Sequence, residues 1–397
     1  MSLPNVIFKY RNGELGGNNP TADTVAGLII QVPEAPEKFP LGAIKTFYTL
    51  DDVETAGLTA DFDEENACSA YGELREFFSK TGGKGEIWVM LVSNTTSMAD
   101  ICDLNNTIAK KLLLQSDGRI CFWGIACNRG ADYQPEIKDG LDSDVWAGVT
   151  NAQVLRDTMA LSYFIPTRVV IPGRAFNGSF ADLADLTTMT NNGVQISLHG
   201  RKGSPEAKIG FVLGLLASLP VQRSEGRVRN GDLKIQEAYL TDGVTRAEEL
   251  NAVQDVLHDK GYLFPIVRFR RSGYFYNGAP MATSKRDDFR TMTNGRVIDK
   301  VQRIAYDVYV DYLNDDFMLS RDGKIGAAEL KNLQGDIDEA IRAVMVSNNE
   351  LSGFECYVDP TQDPMSAGKT EVVLRPQPRG YHEAIEVSLG FTKALTE

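Results

Sequence analysis

Apolar runs of strand length alternate with amphipathic helical segments along most of the chain. Between residues 67 and 78 apolar residues recur at helical spacing, and continuous apolar runs follow at 87–92 and 120–126. A run of this length is typical of a strand buried on both faces of a parallel sheet. The cycle continues to residue 267, which predicts βαβ units and an α/β fold with a mostly parallel sheet core. The other predicted elements of this region are helices at 98–115, 144–163, 181–190, 205–218 and 245–259, and strands at 168–171, 194–198, 234–240 and 263–267.

The pattern changes after Arg268. A hairpin-like Gly-Tyr-Phe-Tyr-Asn-Gly segment at 273–278 precedes long helical stretches, and strand patterns follow them. This order predicts an α+β C-terminal domain. Its predicted helices are 286–316 and 326–346, and its predicted strands are 353–359, 370–375 and 383–391. The last strand is the most regular, because four apolar residues alternate in it with Glu386, Ser388 and Gly390: they are Ile385, Val387, Leu389 and Phe391.

The first 25 residues differ from the rest of the chain. Val6, Phe8 and Tyr10 alternate at strand period, and residues 12–20 are rich in glycine and asparagine. This pattern predicts a short strand on a turn-rich segment, which is either an arm or a frayed terminus. The predicted organisation is an N-terminal arm at 1–25, an α/β region at 26–270 with room for an inserted subdomain, and an α+β domain at 271–397 that ends in a strand arm at 383–397.

Composition excludes several classes of protein. With 43% hydrophobic and 24% charged residues in 397, the chain can bury real cores and is not disordered. Its net charge of −13 argues against a dedicated nucleic-acid binder. Five cysteines without a CxxC pair indicate buried thiols in a reducing compartment. The N-terminus has no signal-peptide pattern, and the longest apolar run, 209–221, is too short for a membrane span, so we expect a soluble protein made in the cytoplasm.

Motifs that would indicate chemistry are missing from the sequence. His199, His258 and His382 are far apart and form no metal-binding pattern, and there is no Walker A, GxGxxG or GxSxG motif. The glycines at 82–85 precede a strand, so we interpret them as a helix C-cap and turn instead of a phosphate site. Residues 318–329 resemble a calcium-binding loop but have Met318 where a carboxylate is required, which predicts only a turn before the next helix. The sequence therefore predicts no catalytic, cofactor or metal site.

Charge is concentrated in blocks. Residues 34–66 hold nine acidic and two basic residues, and residues 307–339 hold nine acidic and three basic residues. Residues 268–303 hold nine basic and three acidic residues. Blocks of opposite sign let copies of one chain dock in a defined register, although solvated helix faces would give the same pattern. The candidate docking face consists of Arg268, Arg270, Arg271, Arg286, Arg290 and Arg296.

The order of several motifs resembles contractile phage tail sheath proteins, and within them the Mu-like branch. The resemblance extends over about 195–397 and is faint before residue 190. Its motifs are Gly273–Gly278, Ala282, Asp287–Phe289, Gly295–Lys300 before a long helix, Leu198–Gly200, Ser204–Ala207, Leu215–Ser224, Arg379–Tyr381 and Ile385–Val387. The hairpin departs from the usual form, with Asn277-Gly278-Ala279-Pro280 in place of an acidic-Gly-Arg-Thr run.

This resemblance implies a structural subunit without catalytic activity or a cofactor. Sheath proteins polymerise into a helical tube around a tail tube, and terminal arms add strands to neighbouring subunits. The strands with Val6, Phe8 and Tyr10 and with Ile385, Val387, Leu389 and Phe391 would be these arms. The implied partners are copies of the chain, a tail tube protein, and baseplate and tail terminator proteins. Assembly would occur in the bacterial cytoplasm, and the mature location would be a phage tail or related contractile particle.

Two other functions remain open at this level. An α/β enzyme would have its site at the carboxyl ends of the parallel strands. A nucleic-acid or adaptor module would use the basic block at 268–303, where Arg268, Arg270 and Arg271 lie beside aromatic residues.

Overall fold

The computed structural model describes residues 22–391. Val6, Phe8 and Tyr10 of the predicted N-terminal arm lie outside the described residues. The described residues form two compact units, which divide between Asp316 and Phe317. Residues 271–316, which the sequence pattern grouped with the C-terminal domain, lie in the first unit.

The first unit contains most of the strands and helices. Its strands are β1 (Ala26–Val32), β2 (Ile44–Phe47), β3 (Ile87–Ser93), β4 (Phe122–Ala126), β5 (Ile137–Lys138), β6 (Leu141–Asp142), β7 (Arg168–Pro172), β8 (Thr190–Asn191), β9 (Val194–Ser197), β10 (His199–Arg201), β11 (Ser204–Ala207), β12 (Tyr239–Leu240), β13 (Pro265–Val267), β14 (Tyr274–Tyr276) and β15 (Ala282–Thr283). Its helices are α1 (Leu50–Thr55), α2 (Ala60–Glu65), α3 (Ala70–Lys80), α4 (Met98–Cys102), α5 (Ile108–Gln115), α6 (Ser143–Ser162), α7 (Ile209–Ser218), α8 (Gln254–Asp259) and α9 (Met292–Tyr309).

A six-stranded sheet in the order β2-β3-β1-β4-β7-β9 organises the first unit. All neighbouring pairs are parallel except β2–β3. The predicted α/β fold with a mostly parallel sheet is thus confirmed. The central strand is β1, where Ala26 pairs with both Ile87 and Phe122. The sequence pattern did not predict β1, because Gly27 and Gln31 interrupt its otherwise apolar residues.

Helices cover both faces of this sheet, so two hydrophobic cores form. One core contains side chains of α4, α5 and α6, and the other contains side chains of α3 and α7. Helix α7 is the predicted buried helix of the long apolar run. Its Gly210 and Gly214 allow close packing on α3, since a Cβ at Gly214 would lie 2.6 Å from the Phe77 carbonyl oxygen. Among residues 22–391, no helix has the length and apolar character that crossing a bilayer requires.

Several predicted helices are shorter or divided in the structure. The predicted 98–115 helix is divided into α4 and α5, with Thr107 in the left-handed region at φ 60°. Residues 204–207 form β11 instead of the first turn of a helix, because they pair with β10 in a hairpin. The 181–190 and 245–259 segments contain 3₁₀ turns, and α8 covers only the end of the second. Helix α9 covers Met292–Tyr309 of the predicted 286–316.

The second unit has an α+β arrangement. Its elements are α10 (Ala327–Ile341), which continues as a π-helical turn over Arg342–Val346, β16 (Gly353–Val358), α11 (Pro364–Ala367) and β17 (Val372–Gln377). The strands β16 and β17 pair antiparallel from Gly353↔Gln377 to Val358↔Val372. Helix α10 packs on β16 through the apolar side chains of Leu333, Ile337 and Ile341. Both helices and the first two strands predicted for the α+β region therefore form.

Candidate subunit interfaces

The Gly295–Lys300 motif holds α9 against the central sheet. Arg168 at the start of β7 donates through Nε and Nη2 to the two carboxylate oxygens of Asp299, each at 2.7 Å. Both side chains are almost fully buried. Gly295 makes room for the guanidinium, because a Cβ there would lie 2.7 Å from Arg168 Nε. The first part of the motif therefore has a structural role.

The rest of the motif holds Asp23, three residues before the start of β1 at Ala26. Lys300 Nζ donates to Asp23 Oδ2 at 2.5 Å, and Arg296 Nη2 donates to the Asp23 carbonyl oxygen at 3.2 Å. Arg296 also donates to the Leu219 carbonyl oxygen at 3.0 Å and lies 5.1 Å above the Phe122 ring. Asp23 is thus fixed to α9 by an ion pair and a backbone hydrogen bond.

The burial of Arg296 corrects the candidate docking face. Arg296 is only 2% exposed, so its side chain cannot take part in a surface contact. Arg296 is buried because the carbonyl oxygens of Asp23 and Leu219 and the ring of Phe122 stabilise its cation inside the unit. Lys300 and Arg303 of the same basic block also turn inward, toward Asp23 and the Pro166 carbonyl oxygen.

The other arginines of that face lie in two separate segments of the chain. Arg270 and Arg271 are exposed in the loop between β13 and β14, and Arg268 is half-buried there. Arg286 is exposed and Arg290 half-buried in the segment before α9. Whether these five residues act as one docking face stays a prediction.

The C-terminal segment is the most exposed apolar part of the described chain. Residues 383–391 form no strand within the single chain, which differs from the sequence pattern. Ile385, Val387, Leu389 and Phe391 are between 68% and 111% exposed relative to a reference residue. Exposed apolar side chains contribute hydrophobic free energy only when another surface covers them, so this segment has the character of an interaction site.

The carboxyl ends of the parallel strands are closed by ion pairs. Arg174, just after β7, donates to Asp142 and to Glu206, and Arg129, after β4, donates to Asp144 at 2.6 Å. Tyr133 lies between the two guanidinium groups, 4.8 and 4.9 Å from them. Burial, together with the neighbouring Asp142, raises the pKa of Tyr133 to about 12. The charged groups therefore pair with one another at the edge of the sheet where an α/β enzyme would bind its substrate.

Surface depressions lie elsewhere. One, of about 340 Å³, is lined by residues of α10 and β16, and another, of about 310 Å³, by residues of β2 and α1. Neither lies at the carboxyl ends of the parallel strands. The described residues also include no group of three or more His, Cys, Asp or Glu side chains placed to hold a metal ion.

His199 and Glu225 are buried polar residues of the first unit. His199 Nδ1 is 2.7 Å from the Tyr276 hydroxyl, and burial lowers the pKa of His199 well below its ordinary value. Glu225 accepts from Gln195 Nε2 at 3.1 Å, while its Oε1 has no hydrogen-bond partner within residues 22–391. Burial raises the pKa of Glu225 to about 8, although the Gln195 hydrogen bond and the Arg296 charge lower it. Sequence reasoning missed Glu225 and Arg168 because only the fold brings their partners to them.

Comparison with solved structures defines the class of the fold. A chain of the anti-feeding prophage baseplate is 14% identical with a TM-score of 0.59, and all of both chains is covered. A chain of an extracellular contractile injection system sheath complex (PVC, contracted) is 14% identical with a TM-score of 0.57, with 99% of this chain and 98% of that chain covered. The sheath tail protein from Desulfitobacterium hafniense is 9% identical with a TM-score of 0.51, with 94% and 100% covered. The chain therefore has the fold of contractile-system sheath proteins.

Family models then identify the chain itself. The DUF2586 N-terminal domain matches residues 3–278, and the DUF2586 C-terminal domain matches residues 288–396. The chain belongs to the DUF2586 family. No protein with a curated description matches it.

Proposed function

We propose that this chain is the structural subunit of a contractile sheath, which polymerises into a helical tube around a tail tube and shortens to drive that tube through a target envelope. The observation that carries the proposal is the fold likeness to sheath proteins over nearly the whole of both chains.

The exposed C-terminal segment supports polymerisation. Ile385, Val387, Leu389 and Phe391 alternate, so in an extended conformation they share one face. A strand with this pattern can add to a neighbour's sheet edge through its backbone and bury its apolar face there. The strand with Val6, Phe8 and Tyr10 would be a second arm of this kind. An arm that pairs with a neighbour's sheet makes a head-to-tail contact, and such contacts give a helical assembly when the rotation between copies does not close into a ring.

The absence of catalysis is part of the proposal. The carboxyl ends of the parallel strands, where an α/β enzyme has its site, are filled by the Arg129, Arg174, Asp142, Asp144 and Glu206 ion pairs. Three bases of the 268–303 block turn inward, which weakens the nucleic-acid alternative.

The proposed partners are other copies of the chain, a tail tube protein, and baseplate and tail terminator proteins. The proposed location is the bacterial cytoplasm during assembly and a phage tail or related contractile particle afterwards. Membership of the Mu-like branch is proposed on the same motif order.

Negative-stain electron microscopy of the purified full-length chain, alone and with a co-expressed tube protein, tests the proposal. We expect helical tubes from the full chain, and a folded, non-polymerising body from a variant without residues 383–397. Circular dichroism would establish that this variant is folded. A full chain that stays monomeric under both conditions would contradict the sheath function, whereas normal tubes from the truncated variant would contradict only the role of the C-terminal arm.

A further inference from the structure

A basic surface forms where two loops meet at one end of α3. The Leu233 N–H donates to the Tyr274 carbonyl oxygen at 2.7 Å, which places residues 227–234 beside the loop between β13 and β14. Lys80, the last residue of α3, donates to the Leu233 carbonyl oxygen, so both loops lie at the C-terminal end of that helix. The exposed cations of this region are Arg229, Lys234, Arg270 and Arg271. We refer to these four residues as the basic loop surface.

An exposed aromatic residue lies within the basic loop surface. Phe269 is 89% exposed, and the Arg270 guanidinium lies 5.3 Å from the centre of its ring. Arg270 has φ +58°, in the left-handed region that a residue with a side chain rarely adopts. An aromatic ring and arginines held in this way at a loop tip have the composition of a protein-contact centre.

An acidic surface lies at the other end of α3. Asp63 accepts from the backbone N–H groups of Tyr71 and Gly72 at the start of α3, and Glu54 accepts from the Tyr71 hydroxyl at 2.9 Å. These bonds place α2 and the end of α1 at the N-terminal end of α3. The acidic helix surface consists of four exposed residues: Glu54, Asp61, Glu64 and Glu65.

The length of α3 separates the basic loop surface from the acidic helix surface. Helix α3 has 11 residues, which corresponds to about 16 Å at about 1.5 Å per residue. At physiological salt the screening length is about 8 Å, so the two surfaces barely attract each other within one chain. Each is therefore available to a surface of opposite charge on another molecule.

We propose that the basic loop surface of one copy, with the exposed Phe269 beside Arg270, docks on the acidic helix surface of a second copy. This inference rests on the proposed function and names a contact between sheath subunits besides the arms. Because the two surfaces differ, the contact is head-to-tail, and in the helical sheath of the proposed function it would repeat from one subunit to the next. Charge complementarity between them would set the register of neighbouring subunits.

Charge reversal with compensation tests this contact. In Arg270→Glu/Arg271→Glu, like charges meet, and we expect the protein concentration required for tube formation to rise about tenfold or more. Adding Glu64→Lys/Glu65→Lys to the same chain restores opposite signs at every contact, so we expect tube formation near the wild-type concentration. Phe269→Ala should also raise the required concentration, with less dependence on salt. The matched control, Lys138→Glu/Lys331→Glu, changes the net charge equally at exposed positions outside both surfaces.

The result that would overturn the inference is normal tube formation by Arg270→Glu/Arg271→Glu, or failure of the compensating pair to restore it while circular dichroism shows both variants folded. Binding of a labelled single-stranded oligonucleotide by the wild type, lost in the reversed variant while its tubes stay normal, would assign the surface to nucleic acid instead. Neither result would affect the sheath proposal, which fails only if the wild-type chain forms no tubes.

Discussion

Arg168 and Asp299 form a buried two-point ion pair that joins β7 of the central sheet to α9, 131 residues later in the chain. The contact also explains a sequence motif. Gly295, Asp299 and Lys300 are positions of the motif that resembles sheath proteins. Gly295 and Asp299 contact Arg168, and Lys300 donates to Asp23. The motif thus stabilises the first unit.

Removing one partner of this pair should destabilise the first unit strongly. In Asp299→Ala, the Arg168 cation stays buried without its carboxylate, which costs about 3–5 kcal/mol. Urea denaturation followed by fluorescence measures the change. The control is Asp259→Ala, which breaks the exposed Lys285–Asp259 pair and should cost about 0–1 kcal/mol. Equal effects of the two substitutions would contradict a structural role for the buried pair.

Stability should depend on the protonation of Glu225. Since burial raises its pKa to about 8 in the fold, against an ordinary 4.5, the folded state retains a proton that the unfolded chain releases. The contribution of this group is therefore full below pH 4.5 and is lost progressively as the pH rises toward 8, by about 1.4 kcal/mol per pH unit at most.

The variant Glu225→Gln removes this titration and should gain stability relative to wild type between pH 5 and pH 9. Denaturation curves across that range measure the gain. The exposed Glu34→Gln serves as the control and should follow the wild-type pH dependence. A constant difference between Glu225→Gln and wild type at all pH values would show that Glu225 is ionised in the fold.

Two glycine-to-alanine substitutions should have opposite signs. Gly214→Ala places a methyl group 2.6 Å from the Phe77 carbonyl oxygen, so α7 must move from α3, at a cost of about 1–3 kcal/mol. Gly335→Ala in α10 meets nothing within 4 Å and should stabilise the second unit by about 0.5–1 kcal/mol through helix propensity. Thermal unfolding monitored by circular dichroism compares them. Stabilisation by both would refute close packing between α3 and α7.

The sequence predicted the parallel sheet because its strands are buried on both faces and appear as continuous apolar runs. It missed β1 because Gly27 and Gln31 interrupt the pattern near a glycine-rich N-terminus. The structure explains why these two residues occur in the strand. A Cβ at Gly27 would lie 3.0 Å from the Cβ of Trp123, and Gln31 donates to the Thr96 carbonyl oxygen at 2.6 Å. Strand β1 is thus recognisable only beside its neighbours.

The candidate docking face was only partly predictable, because a charge count does not show which way a side chain points. Arg296 and Arg270 belong to the same basic block, yet one is buried against Phe122 and the other is exposed at a loop tip. Conversely, the regular alternation of 383–391 predicted a strand that the single chain does not form. Its pairing, on the present account, requires a second copy.

Cryo-electron microscopy of particles formed by the full-length chain tests the sheath account most directly. The account predicts a helical tube in which residues 383–391 of each subunit form a strand on a sheet of a neighbouring subunit. Particles without helical order, or tubes in which Ile385, Val387, Leu389 and Phe391 contact only their own chain, would contradict it.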